Sequence, residues 1–132
     1  MGMPAAKQGD TITAVDIHII MIPAPPGPPV PTPLPHPFNG MIDGSLSTDV
    51  KIGGMPAATQ GSTATNTPPH IPQGGPFQKP PTNRATIQMG SMTVKIDGKP
   101  AARNGDMAMT CNDPADLPSG TVVAAGNVLI GG

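Results

Sequence analysis

The run from Thr11 to Ile22 is rich in β-branched side chains, with polar residues spaced two apart, and Asp16 and His18 fall on the same side. This pattern predicts a strand with one partly polar face. Shorter stretches of the same kind follow. Met41–Gly44 and Asp49–Gly54 read as a strand pair edging a turn, and Gly53-Gly54 and Asp97-Gly98 offer the positive φ that tight hairpins need. Ala85–Gly90 and Met92–Ile96 lead into a last pair, Gly120–Ala125 and Val128–Ile130, separated by Gly126-Asn127. No helical pattern exceeds two turns, and Met107–Thr110 is the nearest candidate for a helical turn. The fold expected is all-β with long loops.

Between Pro23 and Pro37, nine of fifteen residues are proline. Proline lacks the backbone donor and fixes φ, so neither a helix nor a central strand is expected there. The segment reads as a stiff ordered loop, the alternative being an extended linker or a Pro-rich ligand for an aromatic groove.

One phrase occurs three times along the chain. Pro4-Ala5-Ala6-Lys7-Gln8-Gly9-Asp10 returns as Pro56-Ala57-Ala58-Thr59-Gln60-Gly61-Ser62 and as Pro100-Ala101-Ala102-Arg103-Asn104-Gly105-Asp106. Val50-Lys51-Ile52 precedes the second copy at the spacing at which Val94-Lys95-Ile96 precedes the third. Self-similarity at such periods marks a repeat architecture. The units read as roughly 3–40, 41–84 and 85–132 of a single domain.

Composition changes the picture in two ways. Glycine (17) and proline (20) make up about 28% of the 132 residues, a share that on its own suggests low-complexity disorder, which the ordered repeats oppose. Trp and Tyr are absent and only Phe38 and Phe77 are aromatic, so the usual core-filling payload is missing and another source of stability is needed. Seven basic residues without a basic run give no footprint for nucleic acid. No apolar stretch reaches membrane-span length, and the N-terminus lacks the charged and apolar regions of a signal peptide. The expectation is a protein made in the cytoplasm that leaves it, if at all, without a cleavable signal.

The candidate chemistry rests on three histidines and one cysteine. His18 and His70 each lie fourteen residues past the proline of a repeat phrase, and Cys111 lies eleven past the third. His36 sits in Pro35-His36-Pro37, a setting like that of His70 in Pro68-Pro69-His70-Ile71-Pro72. Taken singly, each histidine reads as a surface residue and Cys111 as a buried free thiol. Taken together, three imidazoles and a thiolate suit tetrahedral Zn²⁺ in a closed structural site, although Fe or Ni takes the same ligands. A catalytic zinc would keep an open position and a nearby base, yet there is no Glu and no Gly-x-Ser-x-Gly, so an enzyme is not expected. Asp16 is placed to orient His18 from behind.

The three phrases, two of them with matching upstream strands, resemble the signature of PAAR-repeat proteins, which cap the spike of contractile injection machines such as the type VI secretion system. The resemblance implies a conical domain with three pseudo-repeated units, its loops meeting at a point pinned by one Zn²⁺ on His18, His36, His70 and Cys111. Pro4, Ala5, Ala6, Gly9, Pro56, Ala57, Ala58, Gly61, Pro100, Ala101, Ala102 and Gly105 would form the repeat framework. It implies a trimeric valine-glycine-repeat spike as partner at a broad base with exposed Val50, Ile52, Val94 and Ile96, and export with the apparatus. Effectors would be carried non-covalently, and contact with the target envelope would be brief. The reading from a different class is a free-standing zinc-binding or Pro-rich interaction module.

Overall fold

The computed structural model describes residues 2–131. Its strands, in chain order, are β1 (Met3–Pro4), β2 (Thr11–Ile22), β3 (Val30–Gly44), β4 (Lys51–Ile52), β5 (Met55–Pro56) and β6 (Thr63–Asn66), then β7 (Arg84–Ile87), β8 (Lys95–Ile96), β9 (Lys99–Pro100), β10 (Met107–Thr110), β11 (Leu117–Val123) and β12 (Leu129–Ile130). The all-β class follows. Six strands close into a barrel in the order β10-β11-β2-β3-β6-β7, and three two-stranded ribbons, β1-β12, β4-β5 and β8-β9, lie outside it.

The repeat phrases build a hub in which the chain passes three times around one axis. The Ala6 N–H donates to the Ala102 carbonyl (2.9 Å), Ala102 to Ala58 (3.1 Å) and Ala58 to Ala6 (3.0 Å), so the three segments close a ring of backbone hydrogen bonds. All six alanines of the Pro-Ala-Ala steps are buried, because only a methyl group fits where three backbones meet. Each phrase then turns. Asp10 N–H bonds the Lys7 carbonyl, and Ser62–Thr59 and Asp106–Arg103 repeat the bond.

The same geometry explains the phrase's last letter. The side chains of Asp10, Ser62 and Asp106 accept the backbone N–H three residues back, at 3.0, 3.0 and 2.7 Å, which needs a short side chain bearing oxygen. Where that residue is Asp, its neighbour is basic and pairs with it, Lys7–Asp10 at 3.2 Å and Arg103–Asp106 at 2.9 Å; where it is Ser, the position is Thr59. The glycine between holds φ near +94° at Gly9 and Gly61 and +90° at Gly105, a region that side chains strain to enter. At Gly61 an added Cβ would meet nothing within 4 Å, so the strain is purely conformational. Gly61→Ala is therefore expected to cost about 1–2 kcal/mol in urea unfolding, and an unchanged midpoint would contradict this turn geometry.

The hairpin turns at Gly53-Gly54 (φ +58° and +83°) and Asp97-Gly98 (+54° and +79°) are as the sequence suggests. Other expectations need correction. Lys51-Ile52 pairs across its own turn with Met55-Pro56, not with Met41–Gly44, which ends β3. The short strand expected at Val128–Ile130 takes its partner from the start of the chain. Ile130 pairs with Met3 and Leu129 with Pro4, so the third ribbon is made from the two ends of the chain. The Val128 carbonyl accepts from Ala5 as those of Val50 and Val94 accept from Ala57 and Ala101. Ile52, Ile96 and Ile130 then cover the hub's alanines, and Ile52 and Ile96 are buried, not exposed as at an open base.

The proline segment is the largest departure. Residues 30–44 are one continuous strand, paired with β2 from Ile22↔Val30 to Thr11↔Met41. Pro31, Pro33, Pro35 and Pro37 stand opposite Met21, Ile19, Ile17 and Val15. The N–H groups of Ile17, Ile19 and Met21 turn away from β3, to Asn112 Oδ1, Asp113 Oδ2 and the Pro76 carbonyl. These are thus the pairs that exchange no hydrogen bonds across β2–β3, and each proline nitrogen faces the open edge. Proline at every second position therefore costs the ladder nothing, and the intervening His36 and Phe38 point inward. Met107–Thr110 is likewise a strand and not a helical turn, held on both sides by β7 and β11, with Ala108 and Thr110 buried.

Above the hub, Ile12, Phe38, Ile42, Ile87 and Val122 fill the barrel among small alanines. At roughly 3.3 Å per residue, the rest of β2 carries its inward side chains well beyond this core.

Candidate metal centre

Beyond the apolar core the inward positions become polar. On β2 they are Asp16 and His18, two apart and so on one face, and β3 places His36 directly opposite Asp16. The loop after β6 adds His70, and the residue after β10 is Cys111. One donor atom from each of Asp16, His18, His70 and Cys111 lies within 4.8 Å of the others, all four buried, a spacing that one ion can bridge. His36 is not among these four, but its ring stands 5.5 Å from those of both His18 and His70, and those two are 5.0 Å apart. The three imidazoles are therefore neighbours of one another.

The surrounding bonds orient each ring differently. His36 Nδ1 meets the Leu34 carbonyl at 2.9 Å. His70 lies between the Asn66 side-chain amide (3.2 Å from Nδ1) and the Asp16 carboxylate (2.8 Å from Nε2). Asp16 also accepts from the Thr110 hydroxyl and, at 3.4 Å, from Cys111 Sγ. Its partners are thus His70, Thr110 and Cys111, whereas His18 has Asp113 Oδ2 3.5 Å from its Nδ1. The sequence reading that Asp16 orients His18 is corrected: side chains two apart on a strand point the same way without touching.

His18 is the observation that tests the site for a metal. It is 1% exposed, yet neither ring nitrogen has a hydrogen-bond partner. Buried polar atoms are seldom left so, and a cation among these donors would satisfy one of them. Burial holds its pKa below the usual imidazole value, leaving the ring neutral with a lone pair to give. Burial, and then the Asp16 carboxylate, push the Cys111 thiol up to about 11, so without a cation the sulfur keeps its proton. The donor set, with imidazole, thiol and carboxylate, suits Zn²⁺.

Phe77 covers the cluster, 5.8 Å from the His18 ring and 5.5 Å from that of His36. Backbone bonds hold its segment against β2, Met21 N–H to Pro76 and Gln78 N–H to Ile19. A cleft of about 330 Å³, lined by Pro37, Asn66, Pro69 and Ile71 among others, reaches His36 and His70 from outside. Sequence reasoning did not foresee Phe77, which lies in a loop without periodicity, or Asn66, which ends β6 and is placed by its pairing with Gly40 of β3.

The arrangement is one of closure. Donors crowd one point, and apart from the His18 ring nitrogens and Asp113 Oδ1 the polar groups around it are engaged with each other and with backbone. Comparison with known proteins agrees with the repeat structure. The family model described as the PAAR motif matches residues 39–114 and again 77–132. No curated protein matches the chain. With that match running over the second and third phrases and most of the chain's length, the protein belongs to the PAAR-motif family.

Proposed function

We propose that the protein is the structural tip of a contractile injection apparatus of the type VI secretion kind, seated by its hub on a trimeric valine-glycine-repeat spike. The observation that carries this reading is the closed ring Ala6–Ala102–Ala58, which gives a single chain three like faces about one axis. A threefold partner meets such a chain with each of its subunits in a similar environment. The three ribbons around the hub and the residues leading into them place Met3, Met55, Val94, Val128 and Leu129 on the surface, apolar groups that docking would cover.

At the other end, a Zn²⁺ bound among His18, His36, His70, Cys111 and Asp16 would join β2, β3 and two loops that little apolar packing holds. Its role is to keep that end rigid under load, and no turnover is assigned to it. The proline segment supports a rigid element over a mobile ligand module, since Pro31–Pro37 are paired within β3. Export would occur with the apparatus, after synthesis in the cytoplasm.

The test is stoichiometry. Mixed with a purified trimeric valine-glycine-repeat spike and examined by light scattering after gel filtration, the chain is expected to bind once per trimer. Three chains per trimer, or no complex, would remove the reading.

A further inference from the structure

Asp16 is the member of the cluster that an imidazole–thiolate site does not require. Its side chain is fully buried at the centre of the polar layer. Among the described residues no lysine or arginine lies within ion-pair distance of it, and its one such partner is His70. Its orientation is set from behind. Thr110 donates to Oδ1, and that hydroxyl is itself held by Ser119 Oγ (2.7 Å) and the Asn112 amide (3.1 Å). Asn112 is fixed in turn by the Ile17 N–H at 2.6 Å. The other oxygen, Oδ2, is left facing His70 and Cys111.

A buried carboxylate with no lysine or arginine beside it is costly unless a cation compensates it. With the Cys111 thiolate it gives the site two negative charges, which a divalent ion neutralises and a monovalent ion does not. Hardness acts in the same direction. Thiolate is a soft ligand that suits Cu(I), and carboxylate oxygen is a hard one that does not. We propose that Asp16 is the specificity-determining residue of this centre, selecting a divalent ion over monovalent copper. The inference rests on the reading that the cluster holds a metal.

The test compares the whole chain with its Asp16→Asn and Thr110→Val variants. Zn²⁺ and Cu⁺ affinities are measured by competition with chromophoric chelators, the copper series under anaerobic reducing conditions. Asp16→Asn keeps the shape and removes the charge, and it is expected to lower Zn²⁺ affinity about 10–100-fold, the loss typical of groups that tune a metal site, with Cu⁺ affinity unchanged or higher. Thr110→Val frees the carboxylate to turn away and should move the ratio in the same direction by less. Equal losses for both metals, or an unchanged Zn²⁺ affinity, would overturn the assignment. Should the Asp16 variant fail to fold, the Thr110 variant decides by the same criterion. A wild-type chain that takes up neither metal would overturn the metal reading itself, and this inference with it.

Discussion

Stripping the metal with a strong chelator is expected to lower the thermal midpoint by roughly 10–20 °C. A ligand present at about 1,000 times its Kd adds about 4 kcal/mol to the folded state, and for a domain of this length each kcal/mol moves the midpoint by a few degrees. The effect should be large here because the layer above Phe38 contains Asp16, His18, His36, His70 and Cys111 and hardly any apolar core. Cys111→Ser and His18→Ala should show the low midpoint before chelation, with metal content by elemental analysis well below that of the wild type. Variants that keep both metal and midpoint would show that the cluster is held by its hydrogen bonds alone.

The same experiment has a pH signature. In the metal-free protein the Cys111 thiol is raised from an ordinary value of 9.0 to about 11. Between those values the unfolded chain has lost the proton and the folded one keeps it, so stability falls as pH rises from about 9 to about 11. Below pH 9 both states hold the proton and the contribution is constant. The loaded protein already carries thiolate and should lack this alkaline decline. It should instead release its metal as acid returns protons to the sulfur and the imidazoles.

At the opposite end, enlarging one alanine of the hub should be nearly as damaging. Ala58→Leu is expected to cost about 3 kcal/mol in urea unfolding, the upper part of the usual range for overpacking a well-filled site. Ala58 is wholly buried, its N–H is bonded to Ala6, and its carbonyl accepts from Ala102. Any shift that admits the larger side chain stretches a bond to one of the other two segments. Leu at the exposed, hub-flanking Met55 position should cost little, which separates the hub's interior from its rim. A cost below about 0.5 kcal/mol for Ala58→Leu would mean that the three segments are not closely packed.

What could be read from the sequence depended on whether the signal was contiguous. The three Pro-Ala-Ala phrases, the glycines at positive φ, the alternation of β2 and the shared offsets of His18 and His70 are all local, and the structure brings His18, His36, His70 and Cys111 into one neighbourhood. Proline density alone argues against a strand at residues 31–37, and it is the parity of the prolines that permits one. Residues 31, 33, 35 and 37 keep one side of the strand free of donors, and that period of two was visible. The β1–β12 ribbon was hidden for a different reason. Val128-Leu129-Ile130 does for the first phrase what Val50-Lys51-Ile52 does for the second, but the two halves of that motif stand at opposite ends of the chain. The partners of Asp16 also could not be inferred, since Thr110 and His70 reach it from strands and loops distant in sequence.

That pairing of chain ends bears on how the molecule comes to exist. The ribbon joining Met3 to Ile130 is among the most sequence-distant contacts a chain of this length can make, and closing such a loop carries a large entropic cost. The first phrase therefore lacks this strand partner until residues 129–130 are in place. An unpaired strand edge invites pairing with another chain, and the β1–β12 ribbon covers the one at Met3–Pro4.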